Sequence, residues 1–311
     1  MRPSKSGLHD GGLLCSNKTM KEAFFKLHLA VLIAGSTGLF GKLITLSEFP
    51  LSLYRMLFAA TMFWIFMAFT GKVHRIPVRN VVKMLGVGML LALHWMFFYG
   101  SIKYANISIG VVCYSMVGFF TAIFEPIILR RKLSLRELLF SLLTVAGIYL
   151  IFQFDSRYRF GITLGMISTA LGALYTISNK VVSVSTGHKS STILLYAMTG
   201  GTIGMFILLP LFIHLFPTER LLPSHQDFMW LLVLSSVSTI ALYLLQIQVL
   251  KVISAFTVNL TFNLEPIYSI IMAMLFFGEA KLLNAAFYFG LFLIFLSVML
   301  QTMFVVRQSK H

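Results

Sequence analysis

Ten apolar stretches follow one another along this 311-residue chain, separated by short polar joints: 24–46, 50–70, 81–101, 106–129, 136–153, 161–181, 191–216, 228–249, 253–277 and 282–306. Each is close to the roughly 20 residues that a helix needs to cross hydrocarbon about 30 Å thick. A chain in lipid must satisfy its backbone polar groups internally, so helices are expected throughout. Composition agrees. Apolar residues make up 58% and charged residues 11%, against about 25% charged in a soluble domain. So few charges cannot coat a water-facing surface. The first stretch is also too long for a signal-peptide core of roughly 7–15 residues, so it is expected to stay as a span.

The net charge of +15 would suggest nucleic acid in a soluble protein. Here the basic residues sit between apolar stretches, so they report orientation instead. With the N-terminus on the cytoplasmic side, 18 of the 25 Lys and Arg residues fall on inner segments and five on outer ones. Lys42 and Arg55 are left over, inside or at the edge of spans. Lys42 is expected to snorkel. Arg55 is expected near the outer end of the second span, where it snorkels, meets Glu48 or meets an anionic substrate. Both termini are therefore expected inside, with residues 1–22 a disordered cytoplasmic tail and 307–311 a shorter one.

The chain also repeats. Lys103 and Lys251 stand 148 positions apart. Each follows a short loop, is followed by a serine step (Ser108, Ser254) and precedes an apolar segment. Fifteen positions after each lysine comes a helix-loosening residue, Gly118 or Pro266. A charged turn follows 28 positions after each, at Arg131 and Glu279. Five spans per half is an odd number, so the second half must enter the membrane from the opposite face. The expected fold class is an all-α membrane protein of ten transmembrane helices in two inverted five-helix repeats, 23–155 and 156–306.

Leu53-Tyr54-Arg55, Ser101-Ile102-Lys103-Tyr104, Gly165 to Tyr175, Leu264-Glu265-Pro266 and Gly278-Glu279 resemble the drug/metabolite transporter superfamily, EamA-like branch, over roughly 27–306. The resemblance implies a ten-helix bundle around a central cavity and movement of small metabolites, often export. The chain departs from the family pattern at Gly118, where a proline is usual, and at Arg130-Arg131, where a Gly-Glu turn is usual. Glu125-Pro126 does not pair with Glu265-Pro266, because their separation is 140 rather than 148.

Polar side chains inside spans are costly and usually face the bundle interior. They recur at helical spacing in the fourth, sixth, eighth and ninth spans. The substrate-binding candidates are His94, Trp95, Tyr114, Glu125, Tyr175, Asn179, Tyr243, Gln246, Asn263, Glu265 and Tyr268. The alternative for each is ordinary helix packing or a structural hydrogen bond. Glu265 is the sharpest. Pro266 lacks an N–H, so the carbonyl of Phe262 loses its partner and the helix should break around 262–266 beside a carboxylate. That makes Glu265 the candidate for proton coupling. The series Gly35, Gly38, Gly41 and the pairs Gly161/Gly165 and Gly200/Gly204 suggest close helix contacts.

Neither a His-Glu-x-x-His, a Gly-x-Ser-x-Gly nor a Walker loop occurs, and Cys15 and Cys113 form no metal or disulfide pattern. No enzyme activity, cofactor or metal is expected. The expected function is secondary transport, as an exporter of small metabolites such as amino acids or amines. The alternatives are a lipid or lipid-precursor flippase and a non-transport membrane protein. Expected partners are a small-molecule substrate and the lipid bilayer, with a homodimer left open and no nucleic acid. The expected location is the cell membrane, as in a bacterial inner membrane.

Overall fold

The computed structural model describes residues 8–73, 75–130, 132–152, 158–262, 264–278 and 285–308. These residues form helices joined by short turns: α1 (Leu8–Gly35), α2 (Thr37–Leu43), α3 (Glu48–Phe69), α4 (Val78–Tyr104), α5 (Ile107–Tyr114), α6 (Val117–Leu129), α7 (Leu135–Phe152), α8 (Arg159–Thr186), α9 (Ser190–Leu215), α10 (His225–Ser235), α11 (Leu242–Leu250), α12 (Ala255–Phe262), α13 (Glu265–Phe277) and α14 (Ala285–Gln308). A π-helical turn, Ser236–Ala241, joins α10 to α11. Among the described residues, eight helical stretches are long and apolar enough to cross a membrane: Met20–Leu43, Glu48–Phe69, Val78–Tyr104, Ile107–Leu129, Arg159–Thr186, Ser190–Leu215, His225–Leu250 and Ala255–Phe277. Helices α7 and α14 occupy the fifth and tenth apolar stretches and pack on each other. Helix α1 begins at Leu8, so the backbone is already helical through much of the segment read as a tail.

The repeat appears in the geometry at the spacing found in the sequence. Asn106 caps α5 by accepting the Ile109 N–H at 2.8 Å. Ser254, 148 positions later, accepts the Thr257 N–H at 3.1 Å ahead of α12. It is Asn106, not Ser108, that matches Ser254. Such caps satisfy backbone donors that the first helical turn leaves orphaned. Each capped helix is then interrupted. The Met116 N–H bonds to the Cys113 carbonyl at 3.1 Å, and the Leu264 N–H to the Thr261 carbonyl at 3.0 Å, again 148 positions on. Helices α6 and α13 end on left-handed residues at matching positions, Arg130 (φ 51°) and Gly278 (φ 64°). The two interrupted spans run antiparallel, α5 against α13 and α6 against α12. The break expected at 262–266 therefore exists, and its twin lies at Ser115–Met116.

Small residues let the helices approach closely. A Cβ built on Gly88 would run into the Ala197 carbonyl oxygen, and one on Gly200 into the Leu85 backbone, so α4 and α9 touch main chain to main chain. Gly35 packs on Tyr268, Gly38 on Ile107 and Gly41 on Tyr99. Gly161 and Gly165 pack on Ala105 and Cys113, and Gly204 on Met89. The glycine series read from the sequence are helix contacts.

Candidate functional site

Helix α4 runs between α8 and α9 and turns the adjacent His94, Trp95 and, one turn later, Phe98 inward. Around them close Ala34 (α1), Thr37 (α2), Arg55 (α3), Tyr114 (α5), Tyr175 (α8), Leu242, Tyr243 and Gln246 (α11), Phe262 (α12) and Glu265 (α13), enclosing a cavity of about 30 Å³. One water needs about 10–15 Å³ on this measure. The space is thus wet-sized and tightly closed rather than open to a metabolite.

Arg55 organises one wall. It is 1% exposed, so it does not snorkel, nor does it bond to Glu48. Its Nε donates to Thr239 Oγ1 at 2.8 Å, Nη1 to Tyr99 Oη at 2.7 Å and Nη2 to the Ser238 carbonyl at 2.7 Å. Its guanidinium carbon lies 3.5 Å from the centre of the Trp95 ring. A cation stacked on indole away from water is held by the ring quadrupole. The π-helical turn explains the acceptors. Widening the turn takes the backbone out of the α-helical i−4 register and leaves the Ser238 carbonyl to accept from Arg55, while the Thr239 hydroxyl donates to the Leu234 carbonyl at 3.0 Å. Functional sites are frequent places for such bulges.

The remaining walls are aromatic. Trp95 Nε1 donates to Tyr243 Oη at 2.9 Å, and the Tyr243 ring meets both Trp95 and Tyr175 edge to face. Asn179 Nδ2 donates to Tyr175 Oη at 2.9 Å, one turn behind the cavity. His94 Nδ1 lies 2.9 Å from the Ser168 carbonyl, while Ser168 Oγ donates to the His94 carbonyl at 2.9 Å. A carbonyl only accepts, so Nδ1 carries the proton and Nε2 holds the lone pair in the neutral ring.

Glu265 sits in the first turn of α13, directly after the break, and is 5% exposed. The positive end of the α13 dipole favours a negative charge there. Among the described residues its carboxyl makes no protein hydrogen bond, and the charge felt across the cavity is that of Arg55. The cavity thus holds a fixed cation on one side and a carboxyl without protein donors on the other.

Seven sequence candidates line this cavity: His94, Trp95, Tyr114, Tyr175, Tyr243, Gln246 and Glu265. Asn179 supports it from behind. Two lie elsewhere. Glu125 is buried on α6, within electrostatic reach of Lys180, whose Nζ donates to the Ile253 carbonyl at 2.8 Å. Tyr268 packs on Gly35 beside α1. Asn263 lies outside the described residues. Arg55 is left open by the sequence between snorkelling, Glu48 and an anionic substrate, and Tyr99 and the π turn carry no expectation there. The available signal was Arg55 itself, a cation inside the apolar stretch 50–70, and the hydroxyl cluster Ser235, Ser236, Ser238, Thr239.

A helical bundle with an internal inverted repeat and a closed polar cavity between its halves defines a multi-pass membrane protein of transporter type. The chain belongs to the EamA-like transporter family, whose pattern matches twice, over residues 23–153 and 159–303. It is similar to the "Uncharacterized transporter YxxF" of Bacillus subtilis (strain 168), 24% identical over 270 residues that cover 85% of this chain and 84% of the relative. That bacterial relative agrees with a place in the cell membrane. A protein of known crystal structure, 13% identical, shares the fold with a TM-score of 0.67 over 91% of this chain and 98% of its own.

Proposed function

We propose that the chain is a secondary transporter that exports amino acids or related amines by alternating access around the Arg55–Glu265 cavity. The observation that carries this reading is the placement of a guanidinium and a carboxyl across one aromatic cavity. Arg55 uses three of its five donors on protein acceptors; the remaining two suit a carboxylate. Glu265 suits an ammonium group. The rings of Trp95, Tyr114, Tyr175 and Tyr243 suit an apolar body between them. The present cavity is smaller than the roughly 300–1,000 Å³ of ligand pockets, which fits a closed state that must open to load.

In this reading α7 and α14 are the fifth and tenth spans and both termini are cytoplasmic, which the basic excess on that side supports. Glu265 binds a proton and the solute's ammonium group alternately, so that proton entry accompanies solute exit. The test is counterflow in proteoliposomes loaded in turn with a neutral amino acid, its decarboxylated amine and its deaminated acid. The reading predicts strongest exchange for the zwitterion, weaker exchange for the amine and little for the acid. Equal exchange of all three, or movement of a labelled phospholipid instead, contradicts it, and the latter supports the flippase alternative.

A further inference from the structure

The inverted repeat builds one contact twice, at opposite ends of the central cavity, and the two copies differ in strength. At one end the turn between α2 and α3 reaches across to α10. Thr45 N–H donates to Asp227 Oδ1 at 2.7 Å, and Thr45 Oγ1 to Oδ2 at 2.8 Å. Asp227 is 1% exposed. It also accepts from Ser224 Oγ at 2.8 Å and Ser224 N–H at 3.1 Å, with Arg220 Nη1 at 4.0 Å. Lys103, at the end of α4, fastens the same turn by donating to the Ile44 carbonyl at 2.6 Å.

At the opposite end the turn between α8 and α9 reaches across to α4. Asn80 Nδ2 lies 3.1 Å from His188 Nε2, and Lys251, at the end of α11, donates to the His188 carbonyl at 2.7 Å. Asn80 stands 147 positions before Asp227, and Lys103 stands 148 before Lys251. In each copy the turn between the first two spans of one half is tied to the start of the third span of the other half. Only the tie itself differs. One end has a buried carboxylate taking two hydrogen bonds across the contact from Thr45, and two more from Ser224 in its own helix cap. The other has a single bond between amide and imidazole. Bonds to an ionised group are about twice as strong as neutral ones.

We infer that these contacts are the two gate clasps of the transport cycle, with Asp227 holding the gate on the Thr45 face and Asn80–His188 holding the gate on the His188 face. Because the Asp227 clasp is the stronger, the cavity opens more readily toward the His188 face. That face carries Lys189 and Lys251 and is the cytoplasmic one under the orientation proposed above, so the inequality suits loading from inside. The inference rests on the transporter reading but not on any particular solute. Asp227, Asn80 and His188 act here as positioning residues.

The test is sided thiol labelling of a reporter cysteine, Ala34→Cys, in full-length protein carrying Cys15→Ser and Cys113→Ser. Vesicles of both orientations are treated with a membrane-impermeant thiosulfonate. Labelling needs no transported solute, so a failed flux assay leaves its outcome intact. Asp227→Asn and Thr45→Val are each expected to speed labelling from the Thr45 face about tenfold, a factor equivalent to ~1.4 kcal/mol, with no gain from the His188 face. Asn80→Ala is expected to speed labelling from the His188 face alone, by a smaller factor. If Asp227→Asn does not reach the membrane, Thr45→Val decides, since it removes one bond from the partner side of the clasp. Unchanged labelling from the Thr45 face, or an equal rise from both faces, would overturn the inference.

Discussion

The interrupted span α5–α6 and its counterpart α12–α13 share a cap, a break and a left-handed end, yet they present different chemistry at the break. After Met116 come Val117 and Gly118; after Leu264 come Glu265 and Pro266. The first break is followed by Val117 and Gly118, which carry no charge. The second delivers a buried carboxylate into the cavity. The third spans differ in the same way: α4 is continuous, whereas its counterpart is bulged at Ser236–Ala241 and accepts the bonds of Arg55. Inverted symmetry therefore sets the path of the backbone in both halves. The site is made where the halves stop matching: charge at one break, a bulge in one third span and an arginine in one second span.

That contrast makes the asymmetric features the fragile ones. The largest effect is expected at Arg55. Arg55→Met removes a buried cation that joins α3, α4 and the π turn and leaves the Tyr99 hydroxyl and the Ser238 carbonyl without their donor, at about 1–3 kcal/mol for each buried group left unpaired. Thermal unfolding in detergent should show a large drop, and Arg55→Lys should recover little because an ammonium cannot reproduce the fork. A small change in both variants would mean that the shared scaffold, not the asymmetric cation, holds this wall.

Backbone contacts between α4 and α9 come next. Gly88→Ala places a methyl into the Ala197 carbonyl, and overpacking costs about 1–3 kcal/mol. Gly86 on the same helix has nothing within 4 Å of a built Cβ. Gly86→Ala should therefore raise stability by about 0.5–1 kcal/mol through helix propensity. Opposite signs for two glycines two residues apart would be read from paired melting curves.

The smallest effect probes the symmetric ends themselves. Arg130 holds a left-handed conformation that costs a non-glycine residue about 1–2 kcal/mol. Arg130→Gly should stabilise by a fraction of that, because glycine also loses more chain entropy on folding. Gly278→Ala should destabilise by a similar amount. If the two changes have the same sign, the ends of α6 and α13 are not equivalent.

Much of this arrangement was legible in the sequence, for reasons that differ by feature. The spans follow from hydrocarbon thickness acting on stretch length, and the 148-residue repeat survives because Asn106 and Ser254 cap equivalent helices. The break at Pro266 follows from a missing N–H. Its twin at Ser115–Met116 has no proline, so only the symmetry reveals it. Seven cavity residues were found because buried aromatic and amide groups inside spans need a shared interior. For Arg55 the sequence leaves snorkelling, Glu48 and an anionic substrate open, and burial rules out the first. Its partners come from α4 and the π turn, and that packing is not encoded in the spacing of residues 50–70. Glu125, a polar residue inside its span, lies away from this cavity, as the 140-residue separation from Glu265 already indicates.

The most direct test of the account is solute flux in proteoliposomes with and without a pH gradient, comparing wild type with Glu265→Gln. Glutamine keeps the size and polarity of the side chain while removing its titration. The account predicts that a pH gradient drives amino acid or amine flux in the wild type and that the variant loses this drive while still folding. Gradient-driven flux that survives Glu265→Gln would contradict proton coupling at the break and leave Glu265 a structural residue.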